Sequence, residues 1–338
     1  MLRAGITTVG ATEASGAAFG ALIEAGMRGV VYLEALAPDP CDADTALDKL
    51  RQAVAGMRSR ETERVRVGVS PHAPFTVSDP LFTGVAEYAL AEGLPVAIHA
   101  AESRAERDLV TGGTGDFAPG LQARGIPTPV RGRSTIAMLD RLGVLRARPM
   151  LIHCVDVDAE DIRLIAESGC TVAHCPVANA KLGHGVAPYG ALRDAGIPVG
   201  LGTDGVGSNN RLDLLEEARV SSLLQRAVHR ASELLPADEL LRLCTIEGAR
   251  TLGLEDQIGT LEPGKQADLC AVSLAAPHVR PVYDPVAALF HAARGTDVVM
   301  TVVAGCEVYR DGRVRTLDMA ALSAAVEEGA ERLRGALV

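Results

Sequence analysis

The chain has 338 residues, 48% of them apolar, and its 33 basic and 43 acidic side chains give a formal charge of −10. That balance repels a polyphosphate backbone and no Lys/Arg cluster overrules it, so nucleic acid is not an expected partner. No stretch approaches the ~20 consecutive apolar residues of a membrane span, and the opening MLRAGITTVG lacks the pattern of a secretory signal, so a cytoplasmic protein with a small, neutral or weakly charged substrate is expected.

Length permits two average domains or one large α/β barrel with an appendage. Short β-branched runs alternate with longer helical stretches, the pattern of βα units in a parallel sheet. Seven strands are predicted at GITTVG (5–10), GVVYLEA (29–35), VRVGVS (65–70), PVAIHA (95–100), PMLIHC (149–154), CTVAHC (170–175) and IPVGLGTD (197–204). Helices are predicted between them, among them DADTALDKLRQAVAGMR and DAEDIRLIAESG, the second with acidic residues first and Gly169 last. TGGTGDFAPG (111–120) lies in the long connection between the fourth and fifth strands, as a lid, substrate loop or surface insertion. It does not join a strand to a helix as a dinucleotide site requires.

From about residue 255 the texture changes to short antiparallel strands with Gly-containing turns, followed by an Ala/Glu-rich tail helix over 318–336. The expected organisation is a barrel over 1–254 and a β segment with the tail helix over 255–338. Seven cysteines without a CxxC pair fit reduced thiols, and Cys170 and Cys175 read as packing.

The later strands end in polar chemistry: His72 just past the third, then His99, His153, His174 and Asp204. Parallel barrels gather the carboxyl ends of their strands at one mouth, so these side chains are expected to meet there. Imidazole with carboxylate suits zinc or ferrous iron. His99 and Asp204 are the candidate ligands, and such a cation activates water near neutral pH. Glu102, one loop turn beyond His99, is placed to move a proton between water and a ring nitrogen or leaving group, and His153 to orient or deprotonate that water.

HAAES (99–103), the lone strand-end His153, AHCPVANAKLGHGVAP (173–188), GLGTDGVGSNNRLDLLEEAR (200–219), SPHAPFTV (70–77) and IGTLEPGKQADLCAVSL (258–274) together resemble the amidohydrolase superfamily. Within it they are most similar to the adenosine-type deaminases that include the 5-methylthioadenosine/S-adenosylhomocysteine deaminases. The loop carrying GTGDF is more similar to aminodeoxyfutalosine deaminases. The resemblance implies a (β/α)8 TIM-barrel-type metal-dependent hydrolase, with His99 and Asp204 as metal ligands and Glu102 and His153 as the proton-transfer pair. Asp204 thereby also belongs to the catalytic set. His72 matches a substrate-contacting position, and Ser208 and Asn209 are assigned to the substrate with it. Asn179 and Lys181 suit either the substrate or their own loop, and His174 and His184 are assigned structural roles. Binuclear members bridge their metals with a lysine after the fourth strand, where this chain has Val69-Ser70-Pro71-His72, so one divalent ion is expected, Zn²⁺ ahead of Fe²⁺.

The resemblance also implies an HxH motif on a first strand, and the chain contains none. Seven strands fall one short of a closed barrel as well. The expectation is a barrel lacking its first strand, through a start site placed too far downstream or a fragment, with a C-terminal appendage whose β partners are missing. Two ligands do not close a zinc coordination sphere, so weakened metal binding and lost activity are expected of this chain by itself. The leading function is hydrolytic deamination of a purine nucleoside or related aminated heterocycle. The alternatives are a cyclic amidase or halotriazine-type hydrolase and a non-catalytic decayed barrel. Barrels of this kind commonly form homo-oligomers, but no segment marks an interface.

Overall fold

The structure, a computed structural model, describes residues 1–336. Seven strands run parallel in chain order: β1 (Thr8–Glu13), β2 (Arg28–Ala35), β3 (Val65–Pro71), β4 (Ala97–Ala100), β5 (Met150–His153), β6 (Thr171–His174) and β7 (Val199–Leu201). They form two sheets, β1-β2-β3 and β4-β5-β6-β7. The seam between the sheets is a parallel bridge from Val69 to Val96, with Val69 N donating to Pro95 O at 2.9 Å and His99 N to His72 O at 2.9 Å.

All seven predicted strands exist, with the largest displacements, three residues, in the first and the last. The first starts at Thr8 because Gly5, at φ 80°, closes a 3-10 turn over Leu2–Ala4. The last stops at Leu201 because the chain turns at Asp204, whose φ is 56°. Alternation along the strands sorts their side chains. Val30, Tyr32, Ala97, Met150 and Ile152 face one another in an inner cluster, while Val31, Leu33, Val67 and Val69 join the larger outer core. Gly68 makes room for the buried Tyr32, since a Cβ there would lie 2.7 Å from that ring and from Pro95 O.

The helices follow their amphipathic pattern. Ala43–Arg58 buries Leu47, Leu50 and Val54, one turn apart. Ala159–Ser168 starts with a capping box between Asp158 and Asp161 and ends at Gly169, φ 69°. Among the described residues no helix is long and apolar enough to cross a membrane.

Strands β1 and β7 are not paired with each other; both line a cavity of about 590 Å³ whose walls include Val9, Gly10, Leu201, Leu252, Ile258 and Cys270. The C-terminal sheet is antiparallel, in the order β11-β10-β9-β8, from β8 (Leu269–Val272), β9 (Val298–Val303), β10 (Cys306–Arg310) and β11 (Arg313–Val314). Among the described residues β8 pairs only with β9 and keeps an unpaired edge, as expected of a sheet without its β partners, but the sheet is also tied to the start of the chain. Thr301 Oγ1 donates to Leu2 O and Thr316 Oγ1 to Ala25 O, both at 2.8 Å. Arg28 on β2 pairs with Asp268 through Nε–Oδ2 at 2.9 Å and Nη2–Oδ1 at 3.0 Å, with side-chain exposures of 3% and 1%. Asp268 Oδ1 also accepts from Ala304 N at 2.8 Å. The tail helix spans Met319–Ala336.

The connection after β4 is organised by Glu106. Its buried carboxylate accepts from Ala101 N at 2.7 Å, Glu102 N at 3.2 Å and Thr135 Oγ1 at 2.5 Å, joining the strand end to the helix Thr135–Arg141. Burial pushes the Glu106 carboxyl up to about 7.

Breaking the Arg28–Asp268 pair leaves a buried guanidinium unpartnered, so Asp268→Ala is expected to cost about 3–5 kcal/mol in urea unfolding. The double variant Arg28→Met/Asp268→Leu is expected to cost less than the single one. For Glu106 the native state keeps a proton, between the ordinary carboxylate pKa and about 7, that the unfolded chain has released. Its contribution to stability therefore falls as pH rises through that window and levels off above it. Urea midpoints at pH 5 and pH 8 are expected to differ less for Glu106→Gln than for the wild type.

Candidate active site

The strand ends present two clusters of donor atoms. The first takes Glu34 from β2, His72 just past β3 and His99 from β4, and their ligand-type atoms lie within 4.8 Å of one another. Both imidazoles are oriented from behind. His99 Nδ1 donates to His72 O at 3.1 Å, which leaves the lone pair of Nε2 free. Thr76 Oγ1 gives its proton to Ala73 O, so it accepts from His72 Nδ1 at 2.7 Å, and His72 Nε2 is likewise a free acceptor. The two rings lie 4.8 Å apart.

The second cluster takes Glu102 from the loop after β4, His153 from the end of β5 and Asp204 from beyond β7, again within 4.8 Å. His153 Nδ1 lies 2.9 Å from Asn179 Oδ1 and donates to it, so Nε2 turns its lone pair towards Glu102 Oε1 at 3.5 Å. The His99 and His153 rings are 5.6 Å apart, which brings the two clusters together at one rim. Ala101, His153, Cys154 and Asp204 all hold left-handed backbone, with φ of 53°, 80°, 46° and 56°. Such strain gathers where side chains must be aimed.

Burial decides the protonation of the site. It pushes His72, His99, His153 and His174 down to about 4, so all four are neutral at pH 7. It pushes Glu102 up to about 7, with smaller contributions from Glu106 and Asp204. A carboxyl able to give a proton thus faces an imidazole nitrogen able to take one.

Several assignments made from the sequence change. His184, read as structural, puts Nδ1 at 3.3 Å from Glu102 Oε1, because Gly183 and Gly185, with φ of 72° and 116°, turn the loop inward. Asn209, read as a substrate contact, is buried; its Nδ2 donates to Thr203 O at 2.6 Å and to Glu217 Oε1 at 2.5 Å. It braces the turn that carries Asp204. Ser208 is its half-buried neighbour on the same turn. Lys181 fixes its surroundings through Gly207 O at 2.9 Å and Asn210 Oδ1 at 2.6 Å, whereas Asn179 orients His153. His174 is buried with neither ring nitrogen hydrogen-bonded.

Glu34, Glu106 and Glu217 are absent from the sequence reading. Glu106 had a visible signal, since Ser103-x-x-Glu106 has capping-box spacing, and Ser103 Oγ does accept from Glu106 N at 3.3 Å. Its carboxylate reaches back past the cap to Ala101 and Glu102.

The donor set suits a divalent cation. Each cluster supplies three protein groups, the usual number in a catalytic zinc site, and His72, His99 and His153 have their second nitrogen already held, as metal-binding imidazoles do. His99 and Asp204, the ligands expected from the sequence, fall in different clusters of that one rim, each with two further donors beside it.

Known proteins share this arrangement of sequence and fold. Residues 1–308 match the model of the amidohydrolase family. A 5-methylthioadenosine/S-adenosylhomocysteine deaminase of Moorella thermoacetica is 37% identical over 94% of this chain and 70% of its own length. One from Syntrophobacter fumaroxidans is also 37% identical, over 82% of this chain but 58% of its own. Among solved structures, a zinc-bound adenosine deaminase from Xanthomonas campestris superposes with a TM-score of 0.85 at 30% identity, over 99% of this chain and 73% of that one. A zinc complex of atrazine chlorohydrolase from Arthrobacter aurescens superposes with a TM-score of 0.81 at 25% identity, over 97% and 73%. By family model and by identity, the chain belongs to the amidohydrolase family.

Proposed function

We propose that the site hydrolytically deaminates a purine nucleoside or a related aminated heterocycle. The observation that carries this reading is the facing of Glu102 Oε1 and the unprotonated Nε2 of His153, 3.5 Å apart at a rim rich in metal-type donors. The names of the relatives and the zinc in the solved deaminase support it.

His99 and Asp204 would hold one divalent cation, zinc ahead of ferrous iron, with a further donor from the side chains beside them. When bound, the cation supplies Lewis acidity that makes water a nucleophile near neutral pH. The chain's own groups do the rest. His153 Nε2 accepts a hydrogen bond from the attacking water and steers its oxygen to the carbon bearing the amine. Glu102, as the carboxylate, takes one proton from that water and, now the carboxylic acid, passes it to the adjacent ring nitrogen, so the ring gains a neutral tetrahedral carbon rather than a negative charge. The carboxylate left behind takes the proton of the added oxygen and returns it to the amino group. The C–N bond then breaks, ammonia leaves and the ring carbonyl forms. His72 lines the substrate side, with its free Nε2 as an acceptor for a substrate hydroxyl or N–H. His184 braces Glu102 from the other side.

Ammonia release from a panel of adenosine derivatives, with chloride release from a halotriazine in parallel, tests the reaction class. Because Glu34 and His72 stand beside His99 as further donors, deamination by the zinc-loaded protein is expected in place of the lost activity that two ligands alone would imply, and so is its loss on chelation. Ammonia from no member of the panel, with stoichiometric zinc bound, would reject the reading, and chloride release instead would favour a halotriazine hydrolase. Glu102→Gln is expected to lower kcat by roughly 10²- to 10⁴-fold, as for removal of a general acid–base group, with an unchanged thermal unfolding midpoint.

A further inference from the structure

Glu217 is a buried carboxylate that no step of the reaction uses. It stands on the helix Leu214–His229, whose first turn is pinned because Asp213 Oδ1 accepts from Leu215 N and Asp213 Oδ2 from Gly295 N, both at 3.0 Å. From that base its two oxygens go to different elements. Oε1 accepts from Asn209 Nδ2 at 2.5 Å, on the turn that follows Asp204, and Oε2 accepts from Val177 N at 3.1 Å, in the first turn of the helix Pro176–Lys181.

Those two elements serve the two sides of the second donor cluster. The turn presents Asp204, and the helix presents Asn179, whose Oδ1 accepts from His153 Nδ1 at 2.9 Å. Asn179 Nδ2 has no hydrogen-bond partner among the described residues, so the amide has no second anchor and depends on its helix for position. The far end of that helix meets the same turn, since Lys181 Nζ donates to Gly207 O at 2.9 Å and to Asn210 Oδ1 at 2.6 Å. Lys181 is exposed whereas Glu217 is 1% exposed. The buried carboxylate is therefore the stronger tie, because hydrogen bonds to a charge gain strength away from water.

We infer that Glu217 is a positioning residue whose two oxygens lock the turn carrying Asp204 to the helix carrying Asn179, and so set Asp204 and His153 at their working separation. The roles of Asp204 and His153 come from the deaminase reading; the lock between their supports does not. A carboxylate that merely fills its pocket would affect stability and leave both groups as they are.

Glu217→Gln is nearly isosteric but can accept only one of the two N–H groups, so one tie becomes donor against donor. Its effects are read at pH 8, above the value of about 7 to which burial pushes the Glu217 carboxyl. In metal-free protein labelled with ¹⁵N-histidine, the His153 ring signals, assigned by their loss in His153→Gln, are expected to show a single Nδ1-protonated tautomer in the wild type and a mixture in Glu217→Gln. Zinc affinity, by competition with a chelating indicator, is expected to fall about ten- to a hundredfold. A folded Glu217→Gln protein that keeps either the single tautomer or the wild-type zinc affinity overturns the lock. If the variant does not fold, Asn209→Ala, which removes one tie from the other side, is read instead, and an unchanged His153 tautomer there overturns the lock equally. Neither readout needs turnover, so an absence of deamination with both changes intact overturns the reaction class alone. A wild type that holds no zinc also rejects the reaction class, and the tautomer then decides the lock by itself.

Discussion

Strands that all run one way must all end at one rim. Because β1 to β7 are parallel, the residue that terminates each is delivered to the same side of the sheet whatever its distance in sequence. Glu34, His72, His99, His153 and Asp204 leave five different strand ends and gather in two clusters whose rings are less than one side-chain length apart. The outer core of Val31, Leu33, Val67, Val69, Leu81 and Phe82 holds the directions of those strands.

Burial then sets the chemistry. With the imidazoles neutral, their Nδ1 protons are committed to His72 O, Thr76 and Asn179, and three Nε2 lone pairs point into the same space. An array of acceptors without donors is unfavourable away from water. It is relieved by a proton on a carboxyl or by a cation, and the site offers both routes. Glu106 has a quieter part: by taking the N–H groups of Ala101 and Glu102 it fixes the backbone from which the acid projects.

Strand ends were legible in the sequence because hydrophobic alternation stops abruptly at polar residues, as at Ile98-His99 and Ile152-His153. The seven staves were legible from β-branched runs alternating with helical stretches, the antiparallel C-terminal sheet from its short strands and Gly-containing turns, and the tail helix from its Ala/Glu-rich composition. Side-chain direction in loops was not. Glu34 looked like one polar residue within a buried strand, and only the register of β2 against β3 sets it opposite Ser70, two residues before His72. The inward turn of His184 depends on two left-handed glycines, and the inward commitment of Asn209 depends on Glu217, a helical residue that periodicity alone assigns to packing. The ties between the appendage and the start of the chain escaped too, since the pairing of Arg28 with Asp268 spans most of the sequence.

The left-handed backbone at Ala101, His153, Cys154 and Asp204 has an evolutionary corollary. Side chains with a Cβ occupy that conformation at a cost of order 1–3 kcal/mol each, and glycine or asparagine would sit there more comfortably. Durability and chemistry therefore pull these positions in opposite directions. A lineage released from the need for the reaction would be free to drift towards the relaxed residues at 153 and 204, growing hardier as it fell silent.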